Sequence, residues 1–305
     1  MADYEKWLAE GRQGEMHYME NHMELRRDPR LLLEGARTVV SLAMSYHPGE
    51  HPTQKGLAWY AQGLDYHEVI RHRLKILLQN SLQTLPLPSL VGRGKNVSSS
   101  EAGNVIAPSL QGRAGGEPFR ICVDTAPVME KYWAWRCGLG WIGRNRQLVV
   151  PHQGSAFFLA EILLTCEADH YDEPLYDNPM FTGCGACRRC LQACPTGALS
   201  EEGLDARRCL SYLTIEHRGA LPIDVRPLLD ECFYGCDRCL RACPHLSKAQ
   251  ETPVEEFRPS EELLQMTDED WQRLTPEQYR QLFRGSAVKR AKYEGLMRNI
   301  RPDET

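Results

Sequence analysis

Apolar residues recur at helical spacing from Tyr66 to Leu82, where Val69, Ile70, Leu74, Leu77, Leu78 and Leu82 form one stripe. The pattern predicts an amphipathic helix. His67, Arg71, His72, Arg73 and Lys75 fall at its start and on its polar face, as a solvated face requires. Arg37 to Tyr46 is β-branched and apolar and stops at the turn signal His47-Pro48-Gly49, which predicts a buried strand. Arg120 to Val123 predicts a short strand, and Pro127 suits the first turn of a helix over Val128 to Cys137. Phe157 to Leu164 is apolar almost without a break, so its period leaves strand and buried helix both open. Residues 4–30 and Phe257 to Arg301 read as helical and charged. Between residues 86 and 118, Pro, Gly, Ser and Asn dominate, predicting a long flexible loop.

Composition narrows the class. The 305 residues suffice for two domains, and 42% hydrophobic with 25% charged residues is ordinary for a globular chain. A net charge of −5 announces no nucleic-acid binding, so any RNA site has to be a local basic face. Arg284, Lys289, Arg290, Lys292, Arg298 and Arg301 offer charges for phosphates, although a solvated helix face explains them equally. No apolar run reaches membrane-spanning length and no signal core follows Arg26-Arg27, so the expected location is cytoplasmic, without a membrane partner. Twelve cysteines in such a compartment argue for metal or redox chemistry over disulfides.

The cysteines carry the strongest signal. Cys184-Gly-Ala-Cys187-Arg-Arg-Cys190-Leu-Gln-Ala-Cys194-Pro195 is C-x2-C-x2-C-x3-C-P, the bacterial ferredoxin spacing. Cys236-Asp-Arg-Cys239-Leu-Arg-Ala-Cys243-Pro244 repeats its end but lacks one cysteine, position 233 being Phe. In that motif the last cysteine of each run serves the other cluster. One [4Fe–4S] cluster then takes Cys184, Cys187, Cys190 and Cys243, and a second takes Cys194, Cys236, Cys239 and one more. Cys209 and Cys232 compete for that place, and spacing does not choose between them. Zinc needs neither two Cys-Pro endings nor three cysteines within seven residues. Cys122, Cys137 and Cys166 read as buried small side chains.

Two further motifs are weaker. Asp124, between strand and helix, reads on its own as a helix cap. Gly138-Leu-Gly140-Trp-Ile-Gly143 matches G-x-G-x-x-G but follows a helix, which argues against a dinucleotide site. Its glycines instead suggest a tight turn with close backbone approach to a ligand or neighbour.

Several segments stand together in order: Tyr60-Ala-Gln-Gly63-Leu-Asp65-Tyr66-His67, Val123-Asp124-Thr-Ala-Pro127, Gly138-Leu-Gly-Trp-Ile-Gly143-Arg-Asn145 and Cys209-Leu-Ser211-Tyr-Leu-Thr-Ile-Glu216. With Tyr234-Gly-Cys236-Asp237 and Gly285-Ser-Ala-Val-Lys-Arg290, they closely resemble epoxyqueuosine reductase from about residue 4 to 300. The resemblance implies an α+β chain: a cobalamin-binding catalytic domain similar to reductive dehalogenases (1–170), a ferredoxin-like domain with two [4Fe–4S] clusters (171–255) and a short helical C-terminal segment (256–305). It implies reduction of epoxyqueuosine to queuosine in tRNA, with the clusters feeding electrons to cobalamin and Asp124 as proton donor. It assigns Cys209 to the second cluster and places Ser211, Cys236 and Asp237, with Asp124, along the corrinoid. A carboxyl acting as acid near neutral pH needs a raised pKa, which burial beside the corrinoid would provide. The expected partners are tRNA and an external low-potential electron donor, met by a monomer.

Four departures from the family stand out. The chain begins almost at its Trp-Leu segment and ends just after Leu296-Met-Arg-Asn299, as a short form without the HEAT-like repeats of longer members. The 86–118 loop is longer than expected, and Trp59 replaces a basic residue, so no cofactor contact is assigned there. Three other readings compete: a dehalogenase-like corrinoid reductase, an electron-carrier ferredoxin, and an RNA-binding protein with structural clusters. A carrier leaves about 170 residues before the clusters without a purpose.

Overall fold

The structure is a computed structural model that describes residues 1–84 and 118–302. Apart from Pro118, the expected 86–118 loop lies outside the described residues. The N-terminal stretch is helical but broken, with α1 (Ala2–Ala9), α2 (Met23–Arg27) and two short 3-10 turns.

A three-stranded antiparallel sheet organises the first half. Strand β1 (Thr38–Ser45) and strand β2 (Phe119–Cys122) flank β5 (Phe157–Leu164) in the order β1-β5-β2. The register pairs Thr38 with Leu164 and Ser45 with Phe157 on one side, and Phe119 with Leu164 and Cys122 with Glu161 on the other. Phe157 to Leu164 is therefore a strand. Its apolar run, broken only by the buried Glu161, reflects a central position with both faces covered, as buried strands require. The expectation of a buried β1 needs correction: β1 is an edge strand, mostly half-buried, with Val40 exposed.

Helix α3 (Tyr66–Thr84) covers one face of the sheet with Ile70, Leu74 and Leu78, packed against Phe158, Ala160 and Ile162. The stripe is narrower than the sequence suggests, because Leu77 is exposed. Helix α4 (Glu130–Arg136), shorter than expected, lies on the other face, near Leu163 and Cys122. Strand alternation turns Glu161 toward that face as well. The glycine motif ends in a small hairpin of β3 (Trp141–Ile142) and β4 (Leu148–Val149). A Cβ at Gly140 would stand 2.1 Å from the Val149 carbonyl oxygen, so the close approach is to neighbouring backbone.

The cysteine-rich part carries three short helices, α5 (Arg189–Gln192), α6 (Leu210–Ile215) and α7 (Arg238–Arg241). Residues 256–302 are helical, as the pattern predicts. Their apolar side chains do not stand apart: Leu263, Trp271, Tyr279, Phe283, Val288 and Leu296 share one core with Leu57, Ala61, Ile215, Phe233 and Tyr234.

Candidate functional site

Two groups of side chains carry candidate chemistry, one in the cysteine module and one in the first half. The first is the cysteines. Cys184, Cys187, Cys190 and Cys243 line one cavity of about 30 Å³, together with Arg144, Asn145, Val149, Pro244 and His245. Arg144 fixes its loop by donating to the carbonyls of Cys187 (3.0 Å) and Gly185 (2.9 Å), and the Trp141 indole donates to the Cys184 sulfur at 3.4 Å. These are the four thiols that reciprocity pairs.

The second set gathers around Cys239. Burial apart, the groups acting on its thiol are Cys209, Cys236, Cys190 and Cys194. Cys209 in turn feels Cys236 and Cys194. Cys232 is buried in an apolar cluster; its thiol is hydrogen-bonded with that of Cys236 and lies 3.5 Å from the Leu228 carbonyl. Cys209 is thus in electrostatic reach of Cys194, Cys236 and Cys239, while the cysteine acting on Cys232 is Cys236. Among the described residues no three His, Cys, Asp or Glu side chains converge on a single metal ion.

Cys236 and Asp237 are held by their neighbours. The Gly235 amide donates to Thr214 Oγ1 of α6 at 3.0 Å, and a Cβ on Gly235, whose φ is +75°, would strike the Ala58 Cβ at 2.6 Å. The Asp237 carboxylate accepts from the Trp59 amide at 2.7 Å, while Arg241 covers the Trp59 ring. Trp59 therefore takes part in the architecture after all. Ser211 lies half-buried in the first turn of α6, which joins the same loop through Thr214.

The second group centres on Asp124. It is not a helix cap: α4 has no side-chain cap, and Asp124 sits in the left-handed region at φ 55°. Its Oδ2 accepts from the Tyr66 hydroxyl at 3.0 Å and pairs with His67 Nε2 at 3.1 Å. His67 Nδ1 pairs in turn with Asp65 Oδ1 at 2.6 Å, and Tyr66 stacks on Phe158 with ring centres 4.2 Å apart. Asp65, Tyr66 and His67 open α3, and the sequence pattern hid their role because they look like the polar start of an amphipathic helix. A short Asp-x-His spacing at a helix start was the available signal.

The electrostatics correct one expectation. Desolvation pushes the Asp124 carboxyl up, but hydrogen bonds from His67 and Tyr66, with the charges of His67 and Lys131, outweigh it and leave it below the ordinary value. Burial lowers His67, yet Asp124 and Asp65 together raise it to about 9. The proton expected on Asp124 resides on His67. Lys131 is lowered by burial, against the charges of Glu130, Asp124 and, more weakly, Cys239.

The C-terminal cations divide. Arg298 is buried and donates to the carbonyls of His217, Gly219 and Leu213, so it serves the core and not phosphates. Arg301 donates to the Gln272 carbonyl, and Arg290 forms a bidentate pair with Glu216 at 2.9 and 3.0 Å. Arg284, Lys289 and Lys292 are exposed.

Comparison with known proteins reaches the same place. Residues 183–245 match a 4Fe-4S double cluster binding domain, and residues 26–89 match the family described as epoxyqueuosine reductase QueG, DUF1730. An epoxyqueuosine reductase of Leadbetterella byssophila is 39% identical over 300 residues, covering 97% of this chain and 86% of that protein. The chain belongs to the epoxyqueuosine reductase family. The epoxyqueuosine reductase structure from Streptococcus thermophilus superposes with a TM-score of 0.73 at 25% identity, covering 97% of this chain and 71% of that one. A second epoxyqueuosine reductase, solved with an epoxyqueuosine-modified tRNA-Tyr stem loop, shares the fold with a TM-score of 0.74 at 24% identity and covers 97% and 72%. Family members are oxidoreductases, and the double-cluster domain makes this one an iron–sulfur protein. No helix among the described residues is long and apolar enough to cross a membrane.

Proposed function

We propose that the chain reduces epoxyqueuosine to queuosine at the wobble position of tRNA, with Asp124 delivering a proton and two [4Fe–4S] clusters as the electron relay. The observation that carries this reading is the Asp65–His67–Asp124 array in a chain whose cysteines form a double-cluster domain. Removing an epoxide oxygen as water takes two electrons and two protons, so acid and relay belong beside each other. Cys184, Cys187, Cys190 and Cys243 hold one cluster in this reading; Cys194, Cys209, Cys236 and Cys239 hold the other.

Cobalamin is the proposed partner of that relay. A corrinoid is a broad, mainly apolar disc fringed with amides. Tyr46 and Tyr60 bring aromatic surface within reach of the Asp237 carboxyl, and Ser211, Cys236 and Asp237 are half-buried polar groups of the same module. When bound, the corrinoid supplies low-potential electrons to the substrate, fed singly by the clusters. A domain like that of reductive dehalogenases accompanies this assignment, and a dehalogenase-like activity is the runner-up. The chain is proposed to act in the cytoplasm as a monomer, with an external low-potential donor.

The chain's own groups do the proton work. Tyr66 and His67 orient the Asp124 carboxylate, and the protonated His67 places its Nε2 3.1 Å from Asp124 Oδ2. Passage of that proton to Asp124 makes the carboxyl the donor, and Asp65 stabilises the histidine's charge beforehand. His67 is protonated below about 9. Turnover of epoxyqueuosine tRNA should therefore hold through neutral pH and fall as pH rises through about 9. Single-turnover rates across pH measure this. A limb that stays flat to well above 9, or falls below neutral pH instead, removes His67 as the proton source.

A further inference from the structure

The Asp124 loop is held by a bond that the proton chemistry does not use. Asp124 occupies a left-handed conformation that non-glycine residues rarely adopt. Around it the backbone turns on itself: the Thr125 amide donates to the Val123 carbonyl and the Val128 amide to that of Ala126. The Asp124 amide instead donates to Glu130 Oε1 at 2.6 Å. Glu130 is the first residue of α4, so the helix itself supplies the partner.

Behind Glu130 lies a second acid. Glu161, on the central strand, is fully buried; its Oε1 accepts from Ser41 Oγ at 3.2 Å and its Oε2 has no partner. We infer that Glu130 is a positioning residue whose carboxyl latches the Asp124 backbone and so keeps the Asp124 carboxylate against Tyr66 and His67. The inference rests on reading Asp124 as the proton donor and adds what aims it. Burial, then the charge of Asp124, pushes Glu130 up to about 8, so near neutral pH it is uncharged. The latch therefore needs only a carbonyl oxygen on a side chain of this length. Glutamine supplies that oxygen and alanine does not.

The test compares the cluster-loaded wild type with Glu130→Gln and Glu130→Ala. NMR of 13C-labelled histidine, with His67 identified by loss of its signal in His67→Gln, reads whether Asp124 stays in place. In wild type and Glu130→Gln, His67 should titrate near 9. In Glu130→Ala it should move down toward the ordinary value of about 6.5, held partway by Asp65. Single-turnover rates should follow, near wild type for Gln and down about 100-fold for Ala, the scale of a displaced catalytic group. Unchanged His67 titration in Glu130→Ala overturns the latch. Equal damage in Gln and Ala overturns it too, since that pattern belongs to an acid and not to an acceptor. Should Glu130→Ala lose its fold, hydrogen exchange of the wild-type Asp124 amide decides: protection is expected, and exchange at the rate of an open loop contradicts it. Titration and exchange need no substrate, so they judge the latch separately from the tRNA reaction.

Discussion

Asp124→Asn should lower kcat on epoxyqueuosine tRNA by about 10²–10⁴-fold, the usual contribution of a positioned general acid. The asparagine keeps the shape and can still accept from the Tyr66 hydroxyl, so iron content and the corrinoid spectrum should stay as in wild type. What changes is charge and proton delivery. His67 owes part of its upward shift to Asp124 and part to Asp65, so its pKa should fall in the variant without reaching the unperturbed value. Folding stability has a matching sign. A raised histidine pKa stabilises the fold most fully below about 6.5, and that contribution is lost as pH rises through about 9. Asp124→Asn should therefore flatten that part of the stability profile. Wild-type turnover in this variant would place the acid elsewhere.

The second large effect separates two cysteines that spacing leaves equal. Cys209→Ser should remove one of the two clusters, halving the iron content and abolishing turnover, because the relay is broken. Cys232→Ser should leave both clusters in place. Its thiol is engaged with the Leu228 carbonyl inside an apolar cluster, so a modest loss of thermal stability is the expected result. Iron analysis and low-temperature EPR of the reduced proteins measure both. Loss of a cluster in Cys232→Ser with retention in Cys209→Ser would reverse the assignment.

Much of this site was legible because cluster ligation is written locally. In the proposed reading Cys184, Cys187 and Cys190 are spaced for one cluster by the motif itself, and Cys194, Cys209 and Cys243 must be brought from a distance. Pattern also found α3 and the helical C-terminal segment. It missed what depends on distant pairing. Strand β1 pairs with β5 over a hundred residues away, so its half-exposed edge position left no mark on its apolar sequence. Asp124 and His67 are 57 residues apart, and neither residue type announces the other. The direction of the Asp124 pKa was misread for the same reason. Burial alone raises a carboxyl, but the Tyr66 and His67 donors that reverse the sign arrive from another helix. Arg298 shows the converse error: a cation in a polar helical pattern proved to be a buried ligand of three backbone carbonyls.

Nucleoside analysis tests the account most directly. The reconstituted protein, given cobalamin and a low-potential reductant without oxygen, is incubated with epoxyqueuosine-containing tRNA, which is then digested and read by mass spectrometry. The account predicts a wobble nucleoside lighter by one oxygen atom, with the queuosine fragmentation pattern. Epoxyqueuosine recovered unchanged, from protein with both clusters filled and corrinoid bound, would contradict it.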